Sequence, residues 1–150
     1  MRKISLPIPR DIRATHPFQY FREFKVNPVV LESGDVLARA MIRNSEVRES
    51  AGIVRNLLGI WKNMSREVKN PVWDYKLKPG SFAVSLVEGW RGEICHIAIT
   101  DNLGQINHYK IKDPSLHNWM ALALAVRNQE ISDFPVCNKS FNLSYCGNDL

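Results

Sequence analysis

A chain of 150 residues and 17.2 kDa suffices for one domain or two small ones. It can bury roughly 68–70% of its unfolded surface, so its core needs no disulfide framework or structural metal. Hydrophobic residues at 45% and charged residues at 23% exclude wholesale disorder, and the net charge of +5 is scattered along the chain rather than gathered in a tail.

Residues 1–34 read as an irregular arm, because Pro7, Pro9, Pro17 and Pro28 leave no room for a long helix. Phe18, Tyr20, Phe21 and Phe24 predict that the arm is packed against a surface. From residue 35 to 150 the chain reads as a single domain. Ser33-Gly34-Asp35 supplies an N-cap, and Leu37, Met41, Val47, Ala51, Val54, Leu58 and Trp61 recur at helical spacing. Met64 and Val68 extend this stripe until Asn70-Pro71 stops it. A loop over residues 71–80 precedes three alternating runs, Phe82–Val87, Glu93–Thr100 and Gln105–Lys112, joined by short Gly- and Asn-containing links. They predict a three-stranded antiparallel meander. Asp113-Pro114-Ser115 opens a second, shorter helix running to about Arg127, with Leu116, Trp119, Met120 and Ala123 on its buried side. The tail from Asp133 carries too few cues to assign. The fold class is therefore α+β: a long helix, a small meander, then a shorter helix.

Cys95, Cys137 and Cys146 are odd in number and widely spaced, and Pro7 and Pro9 interrupt the place where a secretory leader's apolar helix would run. Both features favour a reducing, intracellular setting with free thiols. The longest apolar stretch, Trp119 to Val126, is far shorter than the ~20 residues of a membrane-spanning helix, so any membrane link is expected to come through a partner.

Several segments resemble one family. Asp35-Val36-Leu37-Ala38-Arg39 followed by Arg43, Glu46 and Ser50 resembles a helix of the large subunits of membrane-bound, energy-converting nickel–iron hydrogenases of the formate hydrogenlyase type. The same helix occurs in their nickel-free relative, the quinone-site subunit of respiratory complex I. Asp11-Ile12-Arg13 with Pro17 resembles the Asp-x-Arg segment before that helix. Glu88-Gly89-Trp90-Arg91-Gly92-Glu93 resembles the family's Glu-x-Pro-Arg-Gly-Glu hairpin, with Trp90 in place of proline. Tyr109-Lys110-Ile111-Lys112-Asp113-Pro114-Ser115 and Asp133-Phe134-Pro135 through Ser140 resemble its later signatures.

The resemblance implies the C-terminal part of a large subunit, with the family's upstream half expected in a companion chain or lost. It also implies a departure. Ser144 and Gly147 stand where a nickel-binding member has its closing cysteines, and Cys146 lies between them. A serine hydroxyl does not replace a soft thiolate at neutral pH, and glycine offers no side chain. No cofactor or metal is therefore expected in this chain.

On the same resemblance, Arg91 and His96 are candidate catalytic residues, and Asp11, Arg13, Arg39, Arg43 and Glu46 are candidate cofactor-side residues. Each has a plainer reading. Arg91 is equally a solvated turn residue, and His96 a hydrogen-bonded core or interface histidine. Arg39, Arg43 and Glu46 equally form a salt-bridged surface, with Arg43 and Glu46 three apart and able to pair. Asp11 and Arg13 tip toward structure. The three cysteines are most simply small buried hydrophobes.

The expected role is that of a subunit, or fragment of one, in a membrane-associated oxidoreductase. It would be inactive alone, cytoplasmic, and held at the inner face of the membrane by an iron–sulfur small subunit and membrane subunits. Isolated, it should expose apolar surface and self-associate. Two alternatives stay open. One is a true hydrogenase-type metal enzyme completed by a partner chain. The other is a small basic nucleic-acid-binding module, disfavoured because no aromatic stacking pattern accompanies Lys78, Lys110 and Lys112.

Overall fold

Two short helical turns punctuate the proline-rich arm in the computed structural model, which describes residues 9–63 and 76–148. Helix α1 spans Ile12–Thr15 and a 3-10 turn spans Gln19–Arg22. Asp11 caps α1 by accepting the backbone N–H of Arg13 at 2.9 Å, which satisfies a donor that the first turn leaves unpaired. Of the arm's aromatics, Tyr20 is exposed and Phe18, Phe21 and Phe24 are half-buried. Phe18 and Phe21 meet edge to face at 5.6 Å, and Ile12 and Val26 are buried.

Helix α2 spans Val36–Asn63. Asp35 caps it, its Oδ1 taking the N–H of Ala38 at 2.7 Å. The proposed continuation through Met64 and Val68 to Asn70-Pro71, and residues 71–75 of the loop, lie outside the described residues. Leu37, Met41, Val54, Leu58 and Trp61 of the apolar stripe are all exposed, Leu37 at 69% and Trp61 at 62%. Ala38 is the residue of α2 that is buried, and the polar flank of Arg39, Arg43 and Glu46 turns inward.

Strands β1 (Phe82–Gly89), β2 (Gly92–Thr100) and β3 (Ile106–Lys112) form one antiparallel sheet in the order β1-β2-β3. Gly89 pairs with Gly92 and Glu88 with Glu93, so the first hairpin turns on Trp90 and Arg91 alone. Between β2 and β3 the register shifts at Ile99/Thr100. Gly104 closes that link at φ +79°, where a Cβ would stand 2.5 Å from the carbonyl oxygen of Leu77.

Helix α3 spans Ser115–Ala125, with the Asp113 carboxylate accepting the N–H of Ser115 at 2.7 Å. Its inward face differs from the predicted one. Ser115 and Leu122 are buried, Trp119 is half-buried against Tyr145 at 5.0 Å, and Leu116, Met120 and Ala123 are not buried, Leu116 and Met120 being exposed. The docking stripe is anchored by a small hydroxyl: Ser115 Oγ accepts the N–H of Ser144 at 3.1 Å. A pattern search weighted on large apolar residues passes over such a residue. The unassigned tail contains helix α4, Phe134–Phe141, which ends on Asn142 in the left-handed region at φ +53°, a conformation asparagine tolerates.

Candidate functional site

Arg39, Arg43 and Glu46 occupy α2 at spacings of four and three residues, which stacks them on one helix flank. That flank faces the tip of the first hairpin and the end of α4 across a cavity of about 610 Å³. Arg39 donates from Nε to Ser140 Oγ at 2.9 Å and from Nη1 to the Gly34 carbonyl at 2.8 Å. Its guanidinium lies 4.2 Å from the centre of the Phe141 ring. Arg43 donates from Nη2 to the Ser140 carbonyl at 2.9 Å and sits 5.3 Å above the Trp90 ring. Arg91 donates from Nε to the Asn142 carbonyl, while Asn118 Nδ2 donates to the Arg91 carbonyl at 3.2 Å. Carbonyls left open at the end of α4 are thus met by cations from α2 and the hairpin, the favourable polarity for a helix C-terminus.

The arm closes another side. Arg10 and Arg13 line the cavity, and Arg13 Nη2 meets Asp11 Oδ2 at 2.7 Å. Burial pushes the Asp11 carboxyl up, but hydrogen bonds from Arg13 and its charge outweigh this and hold it below the usual carboxylate range. Glu88, near the end of β1, accepts the N–H of Ile12 at 2.8 Å and so ties the arm to the hairpin. Burial pushes Glu88 up, opposed by the Ile12 hydrogen bond and reinforced by Asp11. Burial first and the Glu88 charge second push Glu46 up. Arg39 is pulled down by burial. An adjoining hollow of about 470 Å³ shares Arg10, Glu88 and Arg91 with the cavity and adds Lys112 and His117.

Among the sequence candidates, Arg13, Arg39, Arg43, Glu46 and Arg91 line one cavity, with Asp11 behind Arg13. Arg91 is therefore no free turn residue. The expected Arg43–Glu46 pair is replaced by the contacts of Arg43 with Ser140 and Trp90. His96 is elsewhere: its Nδ1 hydrogen-bonds Tyr109 Oη at 2.5 Å across β2 and β3, and it is not among the residues lining the cavity. Sequence reasoning missed Glu88 as a site residue although it opens the hairpin motif. It missed Ser140 and Asn142 because α4 had no assignable pattern. Trp90 gave no signal of its own; its place beneath Arg43 depends on the hairpin meeting α2.

The closing segment bears on metal chemistry. Ser144 Oγ accepts the N–H of Gly147 at 3.1 Å. A Cβ on Gly147 would stand 2.5 Å from Asp113 Cγ, closer than side chains approach. Cys95 and Cys137 are buried and Cys146 is exposed. Among the described residues no three His, Cys, Asp or Glu side chains gather to hold a metal. Ser144 and Gly147 supply no thiolate at these positions.

Comparison with known proteins agrees with the motifs. The family described as respiratory-chain NADH dehydrogenase, 49 Kd subunit, matches residues 6–73. An NADH-quinone oxidoreductase subunit of Herpetosiphon aurantiacus is 30% identical over 135 residues, covering 89% of this chain and 36% of its own length. Hydrogenase-4 component G of Escherichia coli K12 is 25% identical over 95% of this chain and 25% of its own length. The carbon monoxide-induced hydrogenase of Rhodospirillum rubrum is 28% identical over 88% of this chain and 36% of its own. The chain's homologues are thus NADH-quinone oxidoreductase subunits and hydrogenase components. It spans between a quarter and a little over a third of the length of these relatives. A chain in the structure of the membrane-bound sulfane sulfur reductase, an archaeal respiratory membrane complex, shares the fold at a TM-score of 0.80 and 24% identity, over 95% of this chain and 40% of that one. Among the described residues no helix is long and apolar enough to cross a membrane.

Proposed function

We propose that the chain is a subunit, or a portion of one, of a membrane-associated oxidoreductase of the hydrogenase and complex I type, in which it shapes a polar cavity beside an iron–sulfur partner and holds no nickel itself. The observation that carries this reading is the orientation of α2. Its charged flank lines the cavity while its apolar stripe faces outward without a partner among the described residues. Fully burying one large apolar side chain is worth about 1.5–3 kcal/mol, and these five, half to about two-thirds exposed, leave a large part of that for an assembly to gain. The names of the homologues support the choice of assembly. Ser144 and the crowded Gly147 support the absence of nickel. Electrons on this reading travel through other chains, and the membrane contact at the cytoplasmic face is made by partner subunits. Arg91 and the α2 arginines order the cavity wall.

The test is isolation of the tagged chain from its native membranes under anaerobic conditions in mild detergent, with companions identified by mass spectrometry and metals quantified. Co-purification of an iron–sulfur protein and membrane-spanning chains, with iron and no stoichiometric nickel, is the expected result. Recovery of the chain without companions overturns the assembly. Stoichiometric nickel assigned to this chain favours the metal-enzyme reading instead.

A further inference from the structure

The cavity against α2 carries more positive charge than its own carboxylates neutralise, and we infer that it is a binding site for a small oxyanion under the control of Glu46 and Glu88. The inference rests on reading this cavity as the functional face of the chain, and adds the chemistry of what enters it. Five guanidinium groups line the space, from Arg10, Arg13, Arg39, Arg43 and Arg91. Arg13 has its ion pair with Asp11. Arg39, Arg43 and Arg91 instead donate to neutral acceptors: Ser140 Oγ, and the carbonyls of Gly34, Ser140 and Asn142. Those bonds fix the guanidinium planes but leave their charge, apart from the roughly half unit of negative charge at the end of α4. Burial holds Arg39 down and Arg43 adds like-charge repulsion, against the attraction of Cys137 and Asp35.

Arg39 is engaged through all three nitrogens, Nη2 reaching Cys137 Sγ at 3.8 Å, whereas Arg43 and Arg91 are each held through one nitrogen and keep further N–H groups for a carboxylate, sulfate or phosphate, which a planar fork suits. The volume of about 610 Å³ lies within the ~300–1,000 Å³ of small-ligand sites. The Trp90 ring, its centre 5.3 Å from the Arg43 guanidinium, lines the same cavity.

Glu46 and Glu88 are the opposing charges. The groups that face them are Arg10, Asp11 and Arg13 from the arm, Arg43 and Glu49 from α2, Arg91 and Glu93 from the hairpin, and Lys112 and His117 from the adjoining hollow. Protonation of either glutamate removes a negative charge from the wall and leaves the arginines unopposed. Oxyanion affinity therefore rises as the pH falls through their titration.

Calorimetric titration of the full chain with sodium sulfate at constant ionic strength in chloride tests this, the pH being lowered stepwise from about 7.5 while sulfate stays doubly charged. The expected result is saturable binding that tightens several-fold as the pH is lowered. E46Q and E88Q, each isosteric and each retaining an acceptor, should bind sulfate several-fold tighter at about pH 7.5, and each should reduce the pH dependence. Succinate, titrated at about pH 7.5, tells a carboxylate ligand from a tetrahedral one; binding of either anion supports the site. Absence of saturable heat with both anions overturns the inference, as does a pH dependence unchanged in both variants. Neither result touches co-purification with companions, so failure here and failure of the assembly reading are separable.

Discussion

One carboxylate oxygen of Asp11 accepts both the backbone N–H and the Nε of Arg13, at 2.9 and 3.0 Å, while the other holds Nη2 at 2.7 Å. The same group caps α1 and fixes a wall of the cavity. Asp11→Ala should cost about 1–3 kcal/mol in urea denaturation, the sum of a lost cap and a half-buried guanidinium left without its acceptor. Asp11→Asn, which keeps an acceptor for the cap, should cost less. The pH dependence has two signs. The Asp11 carboxyl is held low, so its stabilisation is present above the ordinary carboxylate pKa and is lost as pH falls through the folded value. Glu46 and Glu88 are held high. Their contribution is most favourable below the unfolded pKa of about 4.3 and declines as pH rises through the folded values. Glu46→Gln should therefore raise the melting temperature near pH 7 and leave it unchanged near pH 4. A lowered melting temperature near pH 7 would contradict this assignment.

At the scale of elements, the sheet was legible because strand alternation and glycine-bearing links are local signals. Phe82, Glu93 and the turn at Trp90-Arg91 fall where the pattern puts them. Helix α4 was not legible: eight residues with Pro135 in the first turn form too short a pattern, and its end is held by Arg39, Arg43 and Arg91 from distant parts of the chain. Helix α3 was read with the wrong face inward because Ser115, fully buried, carries its docking contact. The link between β2 and β3 offers a clean test of backbone geometry. Gly104→Ala places a Cβ both at positive φ and against the Leu77 carbonyl, and should destabilise by about 1–3 kcal/mol. Thermal denaturation that matches the parent would show that the link does not need glycine.

For the whole molecule, the periodicity of α2 identified the helix but did not by itself say which face meets the rest of the described chain. Hydrophobic spacing reports which side of a helix avoids water, not which chain supplies the cover. Arg39, Arg43 and Glu46 were legible as a set only through the family motif, since an isolated charged flank reads as solvated surface. The cavity they line becomes visible once α4, the hairpin and the arm converge on it. The isolated chain should self-associate with rising concentration, and the paired substitution Val54→Lys with Leu58→Lys should suppress this in sedimentation velocity without loss of helical circular dichroism, because both side chains are exposed. The most direct measurement of the central claim is in-cell photocrosslinking from a photoreactive residue at position 58, with position 46 on the inner flank as control. Capture of a companion subunit from position 58 and not from 46 is the result expected of a chain that turns its apolar stripe to an assembly. Absence of any adduct from position 58, with the chain at its native level, would contradict the account.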